Sequence, residues 1–193
     1  MKPLDSMIKI GNFPEWVFVH HTGGTDADPL ADTSHHTFEV VQQWHLQKGW
    51  ENFGYHWMIE KDGTLKQGRP EHYHGAHAKG YNTKSIGILL AGNFDATLPT
   101  EAQIATLKKL LKRITKKYTI AISNVQPHRS VARKTCYGNL LSNTWAQELL
   151  EETPIVEEKE VLEVHPECPA TPVSPSNSTL IAIIKALLAK LLG

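Results

Sequence analysis

Residues 128–136 read HRSVARKTC. One imidazole, one lysine and one thiol fall in a segment too irregular for a strand and too widely spaced for one helical face, so it reads as a loop that folds back on itself. A thiolate and an imidazole favour zinc over magnesium or calcium, which take oxygen ligands. A catalytic zinc site needs three protein ligands and an open fourth position. His128 and Cys136 supply two of them, and the third candidate is His20, at the end of the apolar run WVFVH in residues 16–20. From spacing alone a second reading stays open, in which Cys136 is a small buried apolar residue and His128 a hydrogen-bonded loop residue.

The run WVFVH is β-branched and aromatic, which predicts a buried strand. Side chains alternate along a strand, so His20 and His21 face opposite ways and only one can join a given site. TGGTDADPLADTS, residues 22–34, is a loop by its Gly, Asp and Pro content. A helix is expected over roughly residues 36–48, with Phe38, Val41, Trp44 and His45 on one side and Gly49 closing it. GYHWMIE, residues 54–60, predicts a second strand, and Lys61-Asp62-Gly63 turns it into Thr64-Leu65-Lys66 as a hairpin. GRPEHYHGAHAKGYN, residues 68–82, lacks periodicity and reads as a long loop. SIGILLA, residues 85–91, has the length and composition of a buried strand.

Thr100 and Gln103 form a capping-box pattern that opens the next helix. Ile104, Leu107, Leu111, Ile114 and Tyr118 make its expected apolar stripe. Lys108, Lys109, Lys112, Lys116 and Lys117 lie mainly outside it, as a solvated face. A last core helix begins near Asn143 or Thr144 and carries Trp145, Leu149 and Leu150. His35, His36, His45 and His56 are read as structural. His72, His74 and His77 could be grouped as a second metal cluster, but no cysteine or set of carboxylates completes it.

The totals bound the rest. A chain of 193 residues is one medium domain, or one domain with an appendage. Lys plus Arg and Asp plus Glu are 20 each, and this neutral balance argues against a nucleic-acid binder. The two cysteines, Cys136 and Cys168, are too few for a disulfide scaffold. MKPLDSMIKIGNFPEW at the N-terminus has no apolar core of signal-peptide length, so synthesis in a cytoplasm and export by another route are expected. No stretch is long and uncharged enough for a clear membrane span.

The character changes after the last helix. Residues 153–177 alternate proline with acidic residues and read as a semi-extended linker. Residues 178–193, STLIAIIKALLAKLLG, sort into an apolar half (among them Leu180, Ile184, Leu187 and Leu191) and a half holding Ser178, Lys185 and Lys190. This predicts an amphipathic helix. A helix of this length is marginal alone in water and needs a surface. An anionic membrane suits the two lysines; docking on protein is the alternative.

Four motifs carry a resemblance: FVHHT at 18–22, GYHWMIEKDGTL at 54–65, GAHAKGYNTKSIGILLAGNF at 75–94 and HRSVARKTC at 128–136. In this order they resemble the type-2 N-acetylmuramoyl-L-alanine amidases, which include phage endolysins and the animal peptidoglycan recognition proteins. The resemblance spans roughly residues 16–150. It implies an α/β fold with a central mixed β-sheet flanked by helices in residues 1–152. It implies zinc ligation by His20, His128 and Cys136, with peptidoglycan as substrate and the N-acetylmuramic acid to L-alanine amide as the bond cleaved. It further implies that Tyr55 hydrogen-bonds the attacking water or the developing oxyanion, that Lys134 stabilises that oxyanion, and that His77 contacts substrate. A nearby acid must protonate the leaving amine, and the sequence does not identify it; Tyr55 and a water are both candidates. Lys134 matches the phage enzymes, whereas the animal relatives have threonine there. Two positions depart from the family pattern: Ser130 stands where Asp is frequent, and Tyr137 where Pro follows the cysteine. The alternative expectation is a peptidoglycan-binding module without catalysis, although such modules tend to lose the cysteine.

Overall fold

A computed structural model describes residues 11–151. The chain divides between Thr153 and Pro154, and the expected linker and amphipathic helix, like Cys168, lie outside the described residues. Five strands form one mixed sheet: β1 (Trp16–His21), β2 (Trp57–Ile59), β3 (Leu65–Gln67), β4 (Ser85–Leu90) and β5 (Val125–Pro127), in the order β3-β2-β4-β1-β5. β1 runs parallel to β4 and β5, and β2 parallel to β4. Only β3 is antiparallel, paired with β2 through the expected hairpin. Three helices flank the sheet, α1 (Phe38–Gln47), α2 (Glu101–Tyr118) and the single turn α3 (Trp145–Glu148). The expected α/β architecture is therefore present. No described helix is long and apolar enough to cross a membrane.

The central strands are buried on both faces, as parallel strands covered by helices are. Alternation sorts their side chains. Val17, Val19, Ile86, Ile88, Leu90 and Ile59 meet α2 through Leu107, Leu110, Leu111 and Ile114. Met58, Leu89 and Ala91 point the other way, towards Val41 of α1 and Phe53. His20 shares that second face, and His21 the first. His21 Nδ1 accepts a hydrogen bond from the Phe94 backbone N–H at 2.9 Å, which fixes the chain after β4.

The α2 capping box forms as expected, with Thr100 and Gln103 bonded reciprocally. The buried stripe is rotated from its expected place. Leu110 and Gln103 are buried while Ile104 is half-buried. Gln103 is accommodated because its Nε2 donates to the Ala91 carbonyl at 2.8 Å. In α1, Val41 and His45 are buried as expected, but Trp44 remains exposed on the rim of a cleft. Lys117 is not simply solvated either: its Nζ lies 2.6 Å from the buried Glu71 carboxylate, which also accepts from Arg113, Tyr118 and Trp57.

Candidate metal centre

Parallel pairing brings the two ligand histidines together. β1 and β5 are in register as Val17–Val125, Phe18–Gln126 and Val19–Pro127. One residue further along, His20 lies near the end of β1 beside His128, which follows β5, and the two ring centroids are 4.4 Å apart. Both sit at the carboxyl ends of parallel strands, where open α/β sheets place their ligands. His128 opens a tight turn, His128–Ser130, closed by the Val131 N–H donating to the His128 carbonyl.

Cys136 reaches the same point from its loop. Arg129, next to His128, holds that loop with three side-chain hydrogen bonds, to the carbonyls of Gly138 and Leu141 and to Asn143 Oδ1, each 2.6 Å. Asp95 holds it from the other side, accepting from Thr135 Oγ1 at 2.7 Å and from the Asn139 N–H at 2.8 Å. Tyr137 is fully buried and its hydroxyl donates to the Ser142 carbonyl, so the residue that departs from the family pattern anchors the loop in the core. Ser130 Oγ donates to the Pro127 carbonyl within its own turn.

The result is one group of three donors, His20, His128 and Cys136, whose ligand atoms all lie within 4.8 Å of one another and which could hold a metal ion. Cys136 is a free thiol, buried, with Sγ 3.6 Å from His20 Nδ1. Burial, reinforced by neighbouring imidazoles and by Lys134, pushes the His20 pKa well down. Burial and Lys134 lower that of His128. Both therefore present neutral rings at pH 7, the form that binds metals. Burial pushes the Cys136 thiol up to about 12, so its ionisation at neutral pH requires a cation alongside.

Tyr55 stands edge-on to His20, with ring centroids 4.9 Å apart, and burial raises its pKa. Tyr55, Lys134 and His77 all line the cleft above the three donors, with Trp44 and Trp50 at its rim. A second arm of the cleft continues past Lys79, Asn82, Val131 and Ala132. The five non-cysteine residues expected at the site are thus assembled around Cys136. His77, expected as a substrate contact, also bonds His20: its Nδ1 lies 3.1 Å from His20 Nε2. His72 and His74 do not join it in a metal group among the described residues. Arg129 and Asp95 were not anticipated. The only local signal was their position, one beside a ligand and one after the β4 turn.

The sheet and its loops bring two imidazoles and a thiol together in one cleft, a donor set that could hold a metal ion. The chain belongs to the N-acetylmuramoyl-L-alanine amidase family (Amidase_2), whose model matches residues 11–139. It is 41% identical over 111 residues to the endolysin of Escherichia phage T7, spanning 54% of this chain and 72% of that protein. It is 32% identical over 146 residues to peptidoglycan-recognition protein SC2 of Drosophila melanogaster, spanning 73% and 79%. Among solved structures it is similar to the N-acetylmuramoyl-L-alanine amidase LysC from Clostridium intestinale, with 33% identity, a TM-score of 0.60, and coverage of 72% of this chain and 83% of that one.

Proposed function

We propose that this amidase cleaves the bond between N-acetylmuramic acid and L-alanine in peptidoglycan, that one zinc ion held by His20, His128 and Cys136 is required, and that the protein serves as a phage or prophage endolysin acting on the cell wall. One distance carries the zinc reading. Zinc–sulfur and zinc–nitrogen bonds of about 2.3 and 2.1 Å, at a tetrahedral angle, separate the two ligand atoms by about 3.6 Å. Cys136 Sγ and His20 Nδ1 are 3.6 Å apart. The donor types also select zinc over oxygen-seeking cations. Family membership and the peptidoglycan named in the relative from Drosophila support the substrate.

When bound, zinc supplies a Lewis acid for the amide carbonyl and acidifies a water. The chain's own groups do the rest. Tyr55 keeps its proton at neutral pH, because burial raises its pKa, and so serves as a hydrogen-bond donor to developing negative charge. Lys134 faces the same cleft and offers an ammonium to that charge. Arg129 and Asp95 keep the Cys136 loop in place while substrate enters. Residues 178–193 support a further, separate role as an anionic-membrane anchor; deleting them should abolish binding to anionic vesicles, and unchanged binding would remove that role.

The experiment is digestion of purified peptidoglycan with the native protein, after chelation and after zinc is restored. Stem peptides with free N-terminal alanine should appear only when zinc is present. Binding to peptidoglycan without release of peptides, with zinc present, would instead make the chain a wall-binding module.

A further inference from the structure

His20 has two ring nitrogens, and only one of them can face a metal. A hydrogen-bond chain running from the cleft into the sheet decides which. Its far end is the Tyr81 carbonyl, which can only accept. Ser85 Oγ lies 2.8 Å from it and donates to it. A serine has one hydroxyl proton, so the same oxygen acts as acceptor for His77 Nε2 at 3.4 Å. His77 then carries its proton on Nε2 and leaves a lone pair on Nδ1. That lone pair faces His20 Nε2 at 3.1 Å, so His20 Nε2 is the protonated nitrogen and donates. His20 Nδ1 is left with the lone pair that points to Cys136 Sγ.

The structure assigns His77 and Ser85 as positioning residues that fix the tautomer and rotation of His20, making Nδ1 its ligand atom. This assignment builds on the zinc site proposed above. Metal-bound imidazoles commonly donate their second N–H to a carboxylate or carbonyl; here another imidazole stands between, and the carbonyl lies two hydrogen bonds further on.

The surroundings are shaped to hold the His77 ring. Asn82 Oδ1 accepts from the backbone N–H groups of His77 and Ala78, at 2.9 Å each. A Cβ at Gly87 would lie 2.5 Å from the His77 ring, and one at Gly75 would also collide with it. This explains a glycine in the middle of the buried strand β4. His77 itself is 8% exposed, which leaves little of it for substrate to touch.

The test uses the full chain with 15N-labelled histidine. Long-range proton–nitrogen correlation on the chelated protein reads the His20 tautomer, and competition with a chelating dye reads zinc affinity. The native chain should show His20 protonated on Nε2. His77→Ala should mix the His20 tautomers and weaken zinc binding by about 10–100-fold. His77→Asn keeps an acceptor oxygen close to the place of Nδ1 and should bind within a few-fold of the native chain. Ser85→Ala removes one hydroxyl and keeps both rings; it should mix the tautomers and weaken zinc severalfold, and it decides the matter if His77→Ala does not fold. Native His20 protonated on Nδ1, or undiminished zinc affinity in both Ala variants, would overturn the assignment. A native chain that binds no zinc yet shows His20 protonated on Nε2 would overturn the zinc site and leave the hydrogen-bond chain standing.

Discussion

The two faces of the sheet are built from different materials. Against α2 the sheet offers Val17, Val19, Ile86, Ile88 and Leu90, joined by Leu107, Leu111 and Ile114 in one large aliphatic cluster. On the other face the apolar cluster is small, five buried residues from Val41 to Ala91. The remaining volume is taken by His20, one of the three donors, and by His77 and Tyr55 packed against its ring. The first face is held by area removed from water, which is non-directional. The second is held by directional hydrogen bonds and ring contacts, each with one correct partner. A single strand supplies both, because β1 alternates: His21 serves the α2 side and His20 the cleft. Substitutions on the two faces should therefore separate function from stability.

The sharpest separation is expected at Cys136. Cys136→Ala should eliminate stoichiometric zinc and reduce amide cleavage to background, because two imidazoles do not complete the site. Thermal unfolding of the chelated variant and of the chelated native chain should nearly coincide. A variant that keeps both zinc and cleavage would end the distinction between the faces. Lys134→Met comes next. Removal of one charge that stabilises an oxyanion costs about 10²–10³-fold in kcat, and zinc content should stay at the native level.

On the opposite face, Leu111→Ala should cost about 2–5 kcal/mol in denaturant unfolding, the usual range for a fully buried leucine, with zinc affinity unchanged. A parallel loss of zinc affinity would show that the faces are mechanically coupled. The smallest effect is the pH dependence carried by Glu71. Burial alone would raise its pKa, but Lys117, Arg113, Tyr118 and Trp57 donate to the carboxylate and bring it down from 4.5 to about 2. The folded state therefore gains stability fully above about pH 5 and loses it as pH falls through about 2. Because Arg113 and Lys117 are about half exposed, solvent screening limits the loss to on the order of 1–2 kcal/mol. Glu71→Gln should flatten this part of the stability curve, and an unchanged curve would mean that the carboxylate contributes nothing net.

The same contrast separates what the sequence discloses from what it hides. Apolar runs and caps are local signals, and they place β1, β4, the β2–β3 hairpin and the start of α2 close to where they lie. β5 escapes because it has three residues and ends in a proline, the kind of short edge strand that periodicity does not register. Gln103 enters the buried stripe because a carbonyl 12 residues earlier waits for its amide. The Glu71 cluster joins residues more than 40 positions apart. The clamps of Arg129 and Asp95, and the bond from His77 to His20, likewise depend on where loops return in space. The three donors themselves are legible by residue type and by resemblance to a family, whereas the groups that aim them are visible only in the fold.

The donor set can be read from zinc X-ray absorption on the loaded native chain. Expected are one sulfur at about 2.3 Å and two imidazole nitrogens at about 2.0–2.1 Å, with one further light atom completing a tetrahedron. A shell of nitrogen and oxygen alone, without sulfur, would contradict the convergence of His20, His128 and Cys136 on one ion.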